Sequence, residues 1–472
     1  MADYRLKNST KYIYGAGATP FGIKENGFSY FLLIFYSQVL GLEPVLASLA
    51  LTIAIAVDAI TDPLIGYISD NWRSKWGRRH PFMYFSIIPV CISYAVLWNP
   101  PDAVLNEQML LFGYLVTLSV TIRIFITFYD VPSTALISEL TADYDTRTEL
   151  MGLRFSFGWL GGIGMAFLAY STFLASSDGT NGILNASGYT YYGLAASALM
   201  LVFMLGSSIG THNTIPYLHV PPEHEKITPK IVMHEILDVL KNRNFSALLF
   251  ASIFFGTAAG FQAALSLYFH TFFWELQTSQ LAIFTMFQAV AAVLAVPVAR
   301  FLGKQYDKKR AALGSFIVML MVGPSMFLAR LADILPQNGD PNLFPILLAH
   351  NFLQVWTIIV FYILFASMMA DVVEDSAVDT SRRNEGVIFA ARAFAGKMVA
   401  GLGILMAGLV LSLINLPRNA KPSEVDPETM VNLVLYAMPI EALFYLGAFL
   451  MMRRYQITRR KHGENVEAVA DI

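Results

Sequence analysis

Between Phe245 and Phe273 the chain runs for 29 residues without an Asp, Glu, Lys or Arg, and apolar and polar residues do not alternate there. The run is longer than the roughly 20 residues a helix needs to cross a hydrocarbon core, and it lacks the two-residue period of a membrane β-strand. In lipid every backbone N–H and C=O must be paired within the structure, so a run of this kind can only be a helix. Comparable runs recur along the chain, and the expected spans lie at about 13–41, 45–70, 81–100, 108–137, 150–176, 190–211, 245–273, 279–302, 311–335, 344–371, 386–416 and 430–452. Of the 472 residues 56% are hydrophobic and 14% charged, against about 25% charged in an ordinary soluble domain. That balance excludes a soluble globular fold, a disordered chain, a coiled coil and a disulfide scaffold. The net charge of −2 gives no basic surplus for a nucleic-acid partner. Cys91 is the sole cysteine, so no intramolecular disulfide can form. Residues 1–11 are polar, and the apolar run after them is too long and glycine-rich for the core of a cleavable signal. The expected fold class is an all-α polytopic membrane protein.

Lys and Arg set the orientation. With both termini inside, the inner connections hold 23 Lys and Arg, and the outer loops hold only Arg418 and Lys421. The longest inner loop, 212–244, divides six spans from six. The expected domains are therefore a bundle over 1–211, a linker over 212–244 whose amphipathic stretch 231–240 lies along the membrane surface as a tether, a bundle over 245–452 and a cytoplasmic tail over 453–472. The halves echo each other. Gly66-Tyr-Ile-Ser-Asp70 and Gly77-Arg78-Arg79 follow the second span; Gly303-Lys-Gln-Tyr-Asp307 and Lys308-Lys309-Arg310 follow the eighth. Arg147-Thr-Glu149 follows the fourth span and Arg383-Asn-Glu385 the tenth. Repeats in register with a 6+6 span count indicate a major facilitator fold, twelve transmembrane helices in two six-helix bundles. In it, Gly66 and Gly303 would admit close helix approach. Asp70 and Asp307 would meet Arg78 and Lys308, forming a cytoplasmic gate that holds the inner ends together.

A charge at mid-bilayer costs at least ~2.5–3.5 kcal/mol, so each one needs a partner, a cavity or a task. The second span carries Asp58, Thr61 and Asp62. At i and i+4 the two acids share a helix face and repel unless a cation or a proton lies between them. Hard oxygens suit Na⁺, and Thr61 would add a neutral one; a proton shared by the pair is the other option, and simple pairing with basic groups on neighbouring helices is the plainer one. Asp130 on the fourth span and Arg154 on the fifth can face each other across a cavity, as substrate ligands or as a structural ion pair. Lys397, on the eleventh span, would partner the ion site or fix the fold. Arg123 is expected to snorkel to the interface.

Asp58-Ala-Ile-Thr-Asp62-Pro, with Asp70-Asn-Trp-Arg-Ser-Lys-Trp-Gly-Arg after it, resembles the signature of the glycoside–pentoside–hexuronide:cation symporters, the melibiose permease-like family. The resemblance continues through Tyr14-Gly-Ala-Gly17, Asp130-Val-Pro132, the Arg147 turn, Arg154, Ala370-Asp371-Val-Val and Gly396-Lys397, and so covers nearly the whole chain. It implies a cation site of Asp58, Asp62 and Thr127, with Thr61 where the family carries an asparagine. It also implies that Asp130 and Arg154 bind sugar hydroxyls and that Lys397 links the halves near the ion site. Four positions depart from the family: Gly22 replaces a sugar-binding carboxylate, Thr134 a tryptophan, Arg392 an uncharged pocket residue and Tyr362 a tryptophan. Lys24 and Glu25 lie close enough to Gly22 to compensate. The gain of positive charge points to an anionic substrate such as a hexuronide, because a guanidinium forks onto a carboxylate.

Tyr129, Trp159, Trp356 and Tyr362 are aromatic candidates for a sugar face, although most aromatics in such a chain pack or anchor. His270 and His350 lack metal-ligand spacing and are expected to pack between helices. Asn185-Ala-Ser187 is a sequon on an outer loop. The function expected is symport of a sugar or glycoside with Na⁺ or H⁺, by a monomer in the cell membrane, in contact with membrane lipid, without a cofactor and without catalysis. The alternatives are a symporter of an amphiphile such as a lysolipid, a channel, which the opposed buried charges disfavour, and an intramembrane enzyme, for which no catalytic motif is present.

Overall fold

The computed structural model describes residues 6–141, 143–176, 181–218, 241–380 and 385–470; at 144, 373, 374, 376–380, 385–395 and 465–470 it describes the backbone alone. The linker stretch 231–240 and the Arg383–Asn384 pair lie outside the described residues, as does the side chain of Arg392.

Among the described residues all regular structure is helical. Eleven helices are long and apolar enough to cross a membrane: Pro44–Asn71, His80–Leu97, Gln108–Leu140, Asp145–Phe173, Ala186–His212, Arg243–Phe273, Thr278–Gln305, Lys308–Leu331, Leu343–Val372, Gly396–Leu413 and Pro427–Met452. They correspond to the expected second to twelfth spans. The first differs. It is built from short pieces, Asn8–Ala16, Thr19–Asn26 and Leu32–Ile34, with π-helical turns at Gly27–Phe31 and Phe35–Val39. Pro20, which has no N–H to donate, stands in the first turn of the second piece, and Gly15, Gly17, Gly22 and Gly27 lower helix propensity along the run.

The chain forms two compact units. One comprises Met1–Glu223, Ala263–Ala282 and Ile404–Val425; the other comprises His224–Gln262, Ile283–Gly403 and Asp426–Ile472. The C-terminal ends of the seventh and eleventh spans thus pack within the first unit. There Ser37 hydrogen-bonds Tyr268, and the Asn181 amide donates to the Leu276 carbonyl at 3.2 Å. Gly408 lies so close to Ser48 and the Pro44 carbonyl that a Cβ would collide with the serine hydroxyl. In the second unit, Phe255, Phe316 and Phe361 pack at tilted angles in a buried core, their ring centroids 4.9–6.1 Å apart. Asn185 of the sequon caps its helix, accepting the Ser187 N–H at 3.1 Å. His350 donates from Nε2 to the Val322 carbonyl across 2.7 Å, a packing role as expected.

Candidate functional site

The second and fourth spans run parallel in the first unit. Near their N-terminal ends Glu43 N donates to Gln108 Oε1 at 2.9 Å; at their C-terminal ends Arg79 bridges Asp70 and Glu139. Asp58 and Asp62 on one helix and Arg123 and Thr127 on the other share the same four-residue spacing, so they meet as two rungs. Arg123 NH1 lies 3.0 Å from Asp58 Oδ2. Thr127 Oγ1 lies 3.1 Å from Asp58 Oδ1 and 2.8 Å from Asp62 Oδ1. The hydroxyl carries one proton, so it donates to one of these carboxylates at a time. Thr61 is turned away, its hydroxyl donating to the Asp58 carbonyl at 3.2 Å. Arg123 corrects the sequence expectation. It does not snorkel but is buried at 5% exposure, because its partner stands opposite it in the bundle. The first span adds Lys24, fully buried, in an ion pair with Glu25; Glu25 Oε1 is 4.0 Å from Arg123 NH1. Among the described residues no three His, Cys, Asp or Glu side chains gather as a metal centre; the two carboxylates converge instead on the neutral hydroxyl of Thr127.

A second pair lies on the fourth and fifth spans of the same unit. Arg154 NH2 is 2.7 Å from Asp130 Oδ1 and 2.8 Å from Thr134 Oγ1, and its NH1 donates to Ser133 Oγ at 2.7 Å. Its guanidinium carbon sits 5.4 Å over the Tyr14 ring, which is itself fixed by a 2.7 Å bond from Tyr14 Oη to the Ser133 carbonyl. Thr134 therefore holds the guanidinium where the family carries an indole. Gly22 is a crossing point, because a Cβ there would collide with the Gly158 carbonyl; no carboxylate fits this packing, and Glu25, one turn on, carries the first-span acid. Tyr129 is buried between helices, whereas Trp159 is exposed beside Phe155. In the second unit, Tyr362 is 42% exposed with its ring 5.0 Å from Phe255. Lys397 is half-buried on the eleventh span, and Trp356 lines a cavity of about 410 Å³ with Tyr306 and Arg310.

Two charge clusters at the ends of the spans are built differently from the expected gate. Asp70 pairs with Arg79, and Arg78 and Arg79 both reach Glu139 Oε1 at 2.8 Å; Arg78 also donates to the Asp70 carbonyl at 3.4 Å. In the second unit Lys308 pairs with Asp371 at 2.6 Å rather than with Asp307, which stands at the N-cap of the ninth span. Tyr455 donates to Asp371 at 3.4 Å; burial, and then the nearby Asp371 charge, push this phenol up. Asp375 takes Lys461 at 3.0 Å and the Asn244 amide at 2.7 Å. Gly66 and Gly303 are not close-approach points, since a Cβ at either would meet its nearest neighbour at ordinary distance, 3.7 and 3.5 Å. The sequence motifs contain Arg79 and Asp371 without giving either a role, and they leave out Glu139 and Asp375. A signal was present: Glu139 and Asp375 each stand eight residues before the repeated Arg147 and Arg383. At the start of the fifth span, the Thr146 hydroxyl and backbone N–H hold the Asp143 carboxyl below its usual range.

Comparison with known proteins gives this geometry a setting. The profile of the MFS/sugar transport protein family matches residues 13–459. An uncharacterized symporter of Synechocystis is 27% identical over 97% of this chain and 96% of its own length. The sodium-dependent lysophosphatidylcholine symporter 1 of Gallus gallus is 24% identical over 99% and 90%, and the isoprimeverose transporter of Lactiplantibacillus pentosus 22% identical over 81% and 76%. The inward-open structure of the Escherichia coli xylose transporter superposes with a TM-score of 0.62, at 13% identity, covering 98% of this chain and 99% of that one. The eleven long helices, the paired half-repeats and this match across nearly the whole length lead to one conclusion: the chain is a multi-pass membrane transporter of the major facilitator fold and belongs to the MFS/sugar transport protein family.

Proposed function

We propose that the protein is a secondary active symporter that moves a sugar or glycoside with Na⁺ or H⁺ by alternating access, as a monomer in the cell membrane with both termini cytoplasmic. One observation carries the reading: Thr127 Oγ1 lies within 3.1 Å of Asp58 and 2.8 Å of Asp62. Two acids converging on a hydroxyl that has one proton to give are suited to a travelling positive charge. Asp130 and Arg154, held on adjoining helices, supply a carboxylate and a fork for substrate hydroxyls. Cation entry down a 100 mV potential supplies about 2.3 kcal/mol, enough for roughly fifty-fold accumulation of a neutral solute. The clusters around Glu139 and Asp371 would each brace the cytoplasmic end of their own unit, and Lys397 would serve as a coupling residue. Counterflow in proteoliposomes across a panel of glycosides, with and without Na⁺ at two pH values, tests the reading; no cation-dependent uptake of any glycoside would overturn it.

Arg392 is proposed to favour an anionic substrate such as a hexuronide. Arg392→Gln should reduce uptake of acidic glycosides about tenfold more than that of neutral ones, and equal losses would remove the idea. The second reading, a lysolipid, draws on the relative named as a lysophosphatidylcholine symporter and on Thr134 in place of an aromatic. Competition between a lysolipid and the sugar for uptake would establish it.

A further inference from the structure

Arg123 pairs with one acid of the two-acid site and offers an incoming cation no ligand. It is 95% buried by its 5% exposure, yet weakly seated. One terminal nitrogen, NH1, makes its ion pair with Asp58 at 3.0 Å, and the same nitrogen stands 4.0 Å from Glu25 Oε1. Its Nε is buried and has no hydrogen-bond acceptor among the described residues. The guanidinium carbon lies 5.1 Å from the centre of the Phe28 ring, which offers no oxygen or nitrogen acceptor to lock it. Arg–carboxylate pairs are frequently bidentate, with two parallel N–H···O bonds that fix the guanidinium in place. A single-point contact, an unused buried donor and a second carboxylate about one ångström beyond hydrogen-bonding distance describe a group with two seats.

The charges around it say what moves it. The first span contributes Lys24 and Glu25, the second Asp58 and Asp62, and the fourth Arg123 itself, with the neutral hydroxyl of Thr127 beside them. A cation arriving at Asp58 and Asp62 would meet the guanidinium at the Asp58 carboxylate, and like charges at such range repel strongly in a medium of low dielectric. Resting on the reading of Asp58 and Asp62 as the coupling-ion site, we propose that Arg123 is a tethered counter-ion that competes with the coupling cation for Asp58 and moves to Glu25 when the cation binds. In the cation-free carrier it shields Asp58 from Asp62. In the loaded carrier it is neutralised by Glu25, and its return helps expel the ion. It is thus a positioning residue that sets ion affinity, not an ion ligand.

The proposal requires opposite effects at its two seats. Ion binding is measured on the purified full-length protein, without substrate: calorimetric titration with NaCl in choline chloride at fixed pH, and proton uptake on acidification in Na⁺-free buffer. Arg123→Gln should lower the half-saturating concentration of the ion that binds the wild type at least fivefold. Glu25→Gln, which removes the second seat, should raise it at least threefold, and Arg123→Lys, which keeps the charge, should stay within twofold. An unchanged or weakened affinity in Arg123→Gln, or no shift in Glu25→Gln, overturns the proposal. If Arg123→Gln does not fold, Glu25→Gln decides alone. Asp62→Asn separates the two levels: ion binding that survives it unchanged removes the site itself, whereas ion binding lost in Asp62→Asn without opposite shifts at Arg123 and Glu25 removes only the competitor.

Discussion

A sodium ion takes a lone pair of the Thr127 hydroxyl as a ligand, whereas a proton bound here sits on a carboxylate oxygen. A proton shared between Asp58 and Asp62 needs only the acids, whereas Na⁺ needs a shell of oxygens. Thr127→Val keeps the shape of the side chain and removes the oxygen, so it should raise the half-saturating Na⁺ concentration about tenfold while proton binding holds or tightens. Parallel Na⁺ and H⁺ titrations check this, and equal weakening of both would show that the hydroxyl only orients the acids. Asp58 and Asp62 could be found in the sequence because a charge inside an apolar run stands out by its cost. Arg123 obeyed the same rule and was still misjudged as an interface residue. Its partner is 65 positions away on another helix, and rotational phase between helices is not written in either one. The four-residue spacing shared by Asp58–Asp62 and Arg123–Thr127 was the readable clue to the ladder.

At the scale of elements, the turn between the second and third spans shows which charges hold helices together. The Glu139 side chain is 2% exposed and faces Arg78 and Arg79, whereas that of Asp70 is 50% exposed and meets Arg79 from the rim. Removing one partner of a buried pair costs about 3–5 kcal/mol, and an exposed pair contributes about 0–1 kcal/mol. Glu139→Gln should therefore lower the melting temperature in detergent by several degrees, and Asp70→Asn by far less, read by thermal unfolding of the two proteins side by side. Comparable losses would show that Asp70 shares the buried network. The repeat placed charge at these turns correctly but named the wrong partners, since positive-inside bias fixes how many basic residues a turn has and packing decides which acid each meets. Glycines behaved alike: Gly66 and Gly303 stand in matched positions without close neighbours, while Gly22 and Gly408 make crossings that nothing in their local sequence distinguishes.

For the whole molecule, the long spans were legible because bilayer thickness imposes one length on all of them. The segmented first span and the packing of 263–282 and 404–425 within the first unit were not, since both depend on tertiary neighbours rather than hydropathy. Coupling belongs to this scale too. A symporter needs its ion and its substrate each to raise the other's affinity by the same factor, and it concentrates solute only if the coupling ion crosses with it down the ion's own gradient. Asp62 reaches the shared hydroxyl of Thr127 but lies on a different rung from the Arg154–Asp130 pair. Asp62→Asn should thus separate carrying from pumping. Counterflow exchange of the substrate should persist within about threefold of wild type, while accumulation under an imposed cation gradient should fall from tens of fold to none. Both are measured in the same proteoliposomes, with and without the gradient. If accumulation survives, the driving ion binds elsewhere; if counterflow disappears as well, Asp62 supports the substrate pocket and the two sites are one.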